Sequence, residues 1–561
     1  MSDSRNSDYL KEGNDDQLVV EKVASYNDLN GANESSFDNI GETSNLDFDP
    51  VTGVKRGLKT RHLTLLSLAG IIGPGAIVGI SNSLRVGGPA ALLINYCFIG
   101  SIAFAVMQGV GELSTIFPSG SGFTEHATRF VDKAFAATIS YNYIVVWIAV
   151  LANEYNVLCS TMRFWGPQIP LYGYFLIFWP FFMAFQFLGV GVYGEVEYIL
   201  AMVKILGLTA FYIFTIVYMS GGVKGTPAFG FHTWNDPGAF ADGFKGVALV
   251  FTLVSTTYAG VEITTVAAAE TKNPAKAIPI AIRQTFWRIV YVYIVLVIAF
   301  GVTVPYTDPG LRLAGGALKS PMTIAIQNAG WNGGMNLINA FLLVICLSAI
   351  NSSIYIGSRT MTNLANQEMF PKIFRRTTRN GVPYLSCILM NLTGFISLMN
   401  VSTGAADAFN YIVNISGVST FIVWGGISFI QLRFRYGWIK AGKSLDDLPY
   451  KSPLYPYVGF YSVFLNVFLA LVQGWSFLKP FDAKNFVDAY IMIPMFFVFF
   501  FGYKFIFKTK WVKYEDMDFE TGRRRDLEEI LRLEKEEELK LSKEKGNSLK
   551  RFFKKVWSEI K

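Results

Sequence analysis

The chain has 561 residues; 52% are hydrophobic, 15% aromatic and only 16% charged. Soluble domains carry roughly 25% charge, so this composition excludes an ordinary soluble protein. The formal net charge of +7 sits in the two ends and in short gaps between apolar runs. That pattern fits the charge asymmetry of membrane loops and gives no reason to invoke nucleic acid.

Residues 1–50 are rich in Asp, Glu, Asn and Ser, with few apolar residues. Such a segment cannot bury enough surface to offset chain entropy and is predicted to be disordered. It contains no apolar h-region, so no cleavable signal peptide is expected. Lys11 and Lys22 in this tail are candidate ubiquitin acceptors or ordinary solvated lysines.

Apolar runs long enough to cross a bilayer, ~20 residues each, then follow one another. There is room for about twelve, near 63–84, 88–109, 134–158, 171–190, 197–219, 244–268, 285–304, 332–358, 383–401, 405–432, 456–475 and 489–507. A membrane barrel would show short alternating segments instead. Basic residues precede the first run (Lys55, Arg56, Lys59, Arg61) and recur in every second gap. Those gaps hold Lys272, Lys276 and Arg283; Lys372, Arg375, Arg376 and Arg379; Arg433, Arg435, Lys440 and Lys443; and the tail from Lys508. Cytoplasmic loops carry this excess, so both termini are expected in the cytosol. The longest outward loops, around 220–242 and 305–331, hold Gly, Pro and Trp, which suits loops folded over a cavity mouth.

The first run reads LTLLSLAGIIGPGAIVGISNSL, with Gly73-Pro74-Gly75 at its middle. Proline cannot donate a helix hydrogen bond, and glycine is a poor helix former. The helix should unwind there. Unwound backbone in hydrocarbon persists only where protein buries it or it lines a cavity. A packing kink is the plainer reading; a binding site is the other. The sixth run, GFKGVALVFTLVSTTYAGVEITTVAAAE, breaks near Ala259-Gly260-Val261-Glu262. Five spans separate the two breaks, so the second set enters the membrane from the opposite side. Two interrupted helices at matching places in inverted halves point to a transport site. The first break is therefore read as part of one.

Cys97, Cys159, Cys346 and Cys387 stand singly, with no CxxC, and His62, His126 and His232 are scattered. Neither set suggests redox or metal chemistry, and no cofactor is expected. No nucleophile–base set or phosphate loop appears either, so the protein is not read as an enzyme.

Several motifs in order resemble the amino acid/polyamine/organocation transporter superfamily, and within it the fungal amino acid permeases. They are Gly70–Gly79 with Gly87-Gly88-Pro89, and Gly111-Glu112 through Pro118-Ser119-Gly120-Ser121-Gly122-Phe123. Tyr193-Gly194-Glu195-Val196-Glu197, Glu270 with Asn273-Pro274, and Asn351-Ser352 through Ser358-Arg359 complete the set. The stretches 150–156 and 164–168 look closest to a low-affinity, general branch of these permeases. The resemblance covers roughly residues 50–510. It implies an all-α membrane protein of twelve transmembrane helices, a LeuT-like 5+5 inverted repeat plus two further helices, with helices one and six discontinuous. It also implies proton-coupled amino acid uptake at the plasma membrane; an endosomal or vacuolar membrane stays open. The expected organisation is an acidic tail over 1–60, the permease domain over 61–510 and a second cytosolic tail over 511–561.

A zwitterionic amino acid needs two opposite poles. The half-helix after the first break, with Gly73, Pro74, Gly75 and Ala76, offers amides and a positive dipole end to a carboxylate. The second break, at Ala259 and Gly260, offers carbonyls to an ammonium. The family pattern often has Ser-Gly-Thr where this chain has Ala259-Gly260-Val261, which implies a less polar pocket or another substrate range. Lys204, about two turns inside span five, is a functional hypothesis by default in a membrane. Relatives carry a lysine here, near the sodium position of sodium-coupled cousins, which makes it the candidate for proton coupling; snorkelling to the surface is the alternative. Glu154 in span three matches a family glutamate implicated in substrate or proton handling; an interfacial glutamate is the alternative.

Tyr258 is read either as a gate over the substrate or as a packed aromatic. Asn351, a further candidate contact, Ser352 and Ser353 in span eight, and Asn414 and Ser416 in span ten, are polar residues suited to interhelical hydrogen bonds. Glu112, Glu195 and Glu197 are read as gate or structural ion-pair residues at cytosolic helix ends.

Residues 523–545 read as a charged helix with Glu-to-Lys pairs at helical spacing. In 549–561, Leu549, Phe552, Phe553, Val556, Trp557 and Ile560 form one apolar stripe flanked by Lys550, Arg551, Lys554 and Lys555. A basic amphipathic helix of this kind lies on an anionic inner leaflet or docks on a partner. The expected partners are thus amino acids, protons, anionic lipid and a ubiquitin ligase or adaptor at the tails. Two other functions stay open on the same fold: a permease for a sulfonium or cationic amino acid derivative, and a non-transporting amino acid sensor.

Overall fold

A computed structural model describes residues 58–523 apart from 59, 66–71, 119–121, 264–266, 268–269, 272–273, 312–319, 332, 379, 402, 479 and 522. The acidic tail with Lys11 and Lys22, the residues Gly70, Ser119–Ser121 and Asn273, and the tail segments beyond 523 that the sequence reads as helical lie outside the described residues, as does the side chain of Asn414.

The protein is an all-α membrane protein. Its helices are α1 (Thr60–Leu65), α2 (Ile80–Ile116), α3 (Gly122–Phe130), α4 (Lys133–Met162), α5 (Leu171–Gln186), α6 (Val190–Met219), α7 (Gly243–Tyr258) and α8 (Pro274–Trp287). They continue as α9 (Val295–Thr303), α10 (Pro321–Asn328), α11 (Gly334–Asn366), α12 (Tyr384–Thr393), α13 (Thr403–Lys440), α14 (Tyr457–Val472), α15 (Ala483–Tyr490) and α16 (Met492–Phe507). Every one of the apolar stretches read from the sequence carries helix. Among the described residues, 7 helical stretches are long and apolar enough to span a membrane, or up to 8 if the bent pair Ala483–Tyr490 and Met492–Phe507 is one span. The twelve-span reading differs because several of its spans are broken or short: α5 and the segment Tyr384–Met399 fall below that length.

Two glycines set the course of the chain. At Gly88, φ is +82° and ψ 172°, so α2 turns sharply there, and Pro89 starts the next stretch. A Cβ at Gly88 would stand 2.8 Å from the Ala239 carbonyl oxygen. The loop before α7 fastens this turn through Ala90 N to Ala239 O at 2.9 Å and Ala241 N to Gly87 O at 3.0 Å. At Gly260, φ is +96°, a left-handed conformation that glycine adopts without penalty. There the chain leaves α7.

The packing partners form a swapped pattern. α7 lies against α2 and α13, while α1 lies against α8 and α6. α4 lies against α13, while α11 lies against α6; α4 and α11 also meet each other, as do α5 and α12. Exchanging the first five spans with the second five maps each contact onto another in the set.

The basic end of the bundle is tied down by ionic contacts. Glu112, fully buried, accepts from Arg435 Nη1 and from Ser452 N, the latter at 2.8 Å. Glu270 accepts from Arg359 Nε at 3.0 Å and from the Tyr355 hydroxyl, and its backbone carbonyl accepts from Leu58 N at 2.8 Å. Tyr355 stacks on Tyr193 at 4.2 Å and lies under the Arg359 guanidinium. Arg61 and His62 reach Glu195. The first residues after α16 also pack here: Val512 N donates to Val131 O at 2.9 Å, and Phe519 stacks on Phe130 at 5.8 Å.

Asp132 joins these parts. One of its oxygens caps α4 through Ala134 N at 2.7 Å and takes the Thr509 hydroxyl at 2.7 Å, and the other pairs with Lys504. Replacing Asp132 by Ala removes a cap and leaves Lys504 without this partner. We expect a loss of about 3 kcal/mol, read as earlier thermal unfolding in detergent. Asp132→Asn should recover about 1 kcal/mol by restoring the cap.

Candidate functional site

The break in span one is a short turn. Gly73 is extended (φ −94°, ψ 172°), Pro74–Ala76 form a single 3-10 turn, and α2 starts at Ile80. Pro74 fits because it stands at the first helical position, where its missing N–H costs nothing. Its carbonyl then accepts from Val78 N at 2.7 Å and Ile77 N at 3.1 Å.

A cavity opens against this turn. Gly73, Pro74, Gly75 and Ala76 form one wall. α4 contributes Trp147, Val150, Asn153 and Glu154. The last turn of α7 and the residue after it contribute Thr256, Thr257 and Ala259, and α13 contributes Ser416. The two sequence breaks therefore meet across one space. Of the expected contacts, Gly73, Pro74, Gly75, Ala76, Ala259 and Glu154 line it.

Tyr258, Gly260 and Asn351 lie elsewhere. Tyr258 is fully buried and points away from the cavity, with its hydroxyl donating to Tyr96 O at 2.8 Å. It packs among Tyr96 and Tyr293, with ring centroids 5.6 and 4.2 Å away. That is the packed-aromatic arrangement. Gly260 shapes the break: its N–H donates to Glu262 Oε1 at 3.1 Å, and Trp424 Nε1 donates to Glu262 Oε2 at 3.1 Å. Glu262 thus ties the second break to α13. Asn351 stands one layer back, donating through Nδ2 to Glu197 Oε1 at 2.8 Å and accepting from Gln186 Nε2 at 2.7 Å.

Lys204 is 0% exposed, so it does not snorkel. Its ammonium donates to the Ile72 carbonyl, immediately before the break, at 3.0 Å and to Ser348 Oγ at 2.8 Å. The Ser348 hydroxyl in turn donates a hydrogen bond to Glu197 Oε2 at 2.5 Å. Glu197 is buried near Lys204 rather than exposed at the start of α6. The two are seven residues apart, two helical turns, and so share one face of α6. Glu154 is buried as well and accepts from Ser353 Oγ at 2.6 Å. Both carboxylates lie within electrostatic reach of Lys204. Sequence reasoning gave no role to Asn153, Thr256, Thr257 or Trp147 as lining residues.

An interrupted-helix cavity among packed membrane spans, with Glu154 in its wall and Lys204 behind the first break, is the arrangement of a secondary transporter. A match to the amino acid permease family covers residues 62–515. The chain belongs to that family, which makes it a membrane transporter and not an enzyme. It is 54% identical to the general amino acid permease AGP3 of Saccharomyces cerevisiae over 86% of this chain and 87% of that protein. It is 49% identical to an uncharacterized amino-acid permease of Schizosaccharomyces pombe over 91% of this chain and 93% of that one. Identity to the general amino-acid permease GAP1 of Saccharomyces cerevisiae is 36%, over 86% and 83%.

Gly75 offers a direct probe of the cavity. A Cβ built there stands 3.9 Å from the nearest atom, Thr257 Cγ2, and the backbone conformation is not strained. Gly75→Ala should keep uptake within about twofold of wild type, while Gly75→Leu, whose side chain fills the space, should abolish it at equal surface expression. Labelled uptake beside surface quantification reads both.

Proposed function

We propose that this protein imports amino acids together with protons by alternating access, across a plasma membrane with both termini in the cytosol. The observation that carries this reading is the pairing of the two breaks around one cavity, with Lys204 holding the carbonyl at the end of the first. The swapped contacts of α1 and α7, and of α6 and α13, support twelve spans built as two inverted five-helix halves plus two more. The basic end is then the cytosolic end.

In this reading the substrate carboxylate meets the amides of the Gly73–Ala76 turn, whose dipole favours an anion. The ammonium faces the end of α7 and Glu154. The hydrophobic wall and Trp147 take the side chain. Lys204 is the coupling residue: a change in its protonation changes its hold on Ile72 and so the position of the first break. Uptake of substrate from one side and release to the other then follow the charge state of Lys204, with Glu154 as a second proton acceptor. The cytosolic tails supply ubiquitin acceptors such as Lys11 and Lys22, and residues 549–561 rest on anionic lipid.

A second reading, a cationic or sulfonium derivative as preferred substrate, is favoured by one feature: Glu154 and Trp147 share the cavity. A carboxylate and an indole both attract a cation.

Uptake of a labelled amino acid panel, with lysine, arginine and a sulfonium amino acid included, tests both readings in permease-deficient cells at two external pH values. Neutral amino acids should enter faster at acid pH, and Lys204→Ala should lose at least ~90% of that uptake with normal surface expression, a tenfold loss. No uptake of any panel member despite surface expression would contradict the importer reading.

A further inference from the structure

The span made by α8 and α9 holds an arginine that none of the preceding account uses. Arg288 is 0% exposed and opens a π-helical segment, Arg288–Ile294. A charge buried at membrane depth is costly and is kept for a reason, and π-turns recur at functional sites. The turn has a direct effect here. Residues five apart point to different sides of an α-helix but align where hydrogen bonds run from i to i+5. Arg288 and Tyr293 are five apart, and Arg288 Nη2 donates to Tyr293 Oη at 2.8 Å. The guanidinium also lies over the Tyr293 ring, 5.5 Å from its centroid.

Tyr293 hands the interaction on. Its hydroxyl donates to the Thr257 carbonyl at 3.0 Å. Thr257 is in the last turn of α7 and lines the cavity, and its own hydroxyl donates to the Val254 carbonyl at 2.7 Å. A guanidinium, a phenol and a carbonyl therefore form one line that ends at the second break. The first break has the same device without the relay, since Lys204 donates straight to the Ile72 carbonyl. At the second break the cation is linked to the C-terminal, negative end of α7.

We propose that Arg288 is a positioning residue for the substrate, acting through Tyr293 to pin the last turn of α7 against the cavity. The inference rests on the transport reading above. The two cations differ in kind. An arginine keeps its charge at all accessible pH, whereas a lysine can release its proton. Arg288 holds the second break constantly, and the variable charge is left to the first. The Thr256–Ala259 wall then meets the substrate ammonium in a fixed place.

The test is uptake kinetics in permease-deficient cells with surface protein quantified. Tyr293→Phe keeps the ring beneath the guanidinium but cuts the line to Thr257. It should raise KM about tenfold with maximal velocity per surface molecule within about twofold of wild type. Arg288→Lys should fall between wild type and Arg288→Met. The double variant Arg288→Lys/Tyr293→Phe should be no worse than Tyr293→Phe alone, because both act along one line. A merely structural role would lower surface protein or velocity and leave KM in place. An unchanged KM in surface-expressed Tyr293→Phe, or additive effects in the double variant, overturns this inference while wild-type uptake preserves the transport reading. A wild type that takes up nothing overturns the transport reading and this inference with it.

Discussion

The rest of the site depends on one constraint: a carbonyl freed by a broken helix inside the membrane must find a donor. An unpaired carbonyl in hydrocarbon costs several kcal/mol. Gly73-Pro74-Gly75 frees the carbonyl of Ile72, and Lys204 supplies the donor. That ammonium in turn needs acceptors and countercharge. Ser348 accepts from it, Glu197 accepts from Ser348, and Asn351 and Gln186 order Glu197. A three-residue break thus dictates the polar side chains on α5, α6 and α11. Their arrangement follows from the need to bury one cation without leaving any polar group stranded.

The same reasoning describes the second break. Glu262 takes the Gly260 amide and the Trp424 indole, and the Thr257 carbonyl takes the Tyr293 hydroxyl. The two half-helices are therefore anchored to different neighbours: the first to α6 and α11, the second to α13 and to the span made by α8 and α9. A cavity between two separately anchored breaks can change shape when the anchor of the first changes charge while that of the second holds. The clasp at the basic end, through Glu270, Arg359 and Leu58, holds the chain just before α1 to the segment that follows the second break.

Much of this was legible in the sequence where the chemistry is abnormal for hydrocarbon. Gly73-Pro74-Gly75, Lys204 and Glu154 stand out because an apolar span tolerates none of them without cause. Glu197 carried a signal too, in its spacing of seven from Lys204, but its place near a helix start suggested a gate or structural ion pair at the cytosolic end. Arg288 was visible as a charge inside an apolar run, yet its reach to Thr257 needs a π-turn that no spacing rule supplies. Tyr258 could not be placed because helical phase is lost at a break, so a side chain beside one cannot be projected to a face. Thr256, Thr257 and Trp147 lie on spans apolar nearly all round, where periodicity does not tell which face meets the cavity. The number of spans is blurred because broken and short segments defeat a rule based on continuous apolar length.

The central claim is that the charge on Lys204 couples the first break to the proton gradient. The most direct measurement compares two modes of transport in liposomes holding purified protein. Wild type should concentrate labelled amino acid under an inward proton gradient and also exchange it for unlabelled substrate without one. Lys204→Met should still exchange but no longer concentrate. A Lys204→Met protein that concentrates substrate as wild type does would contradict the account.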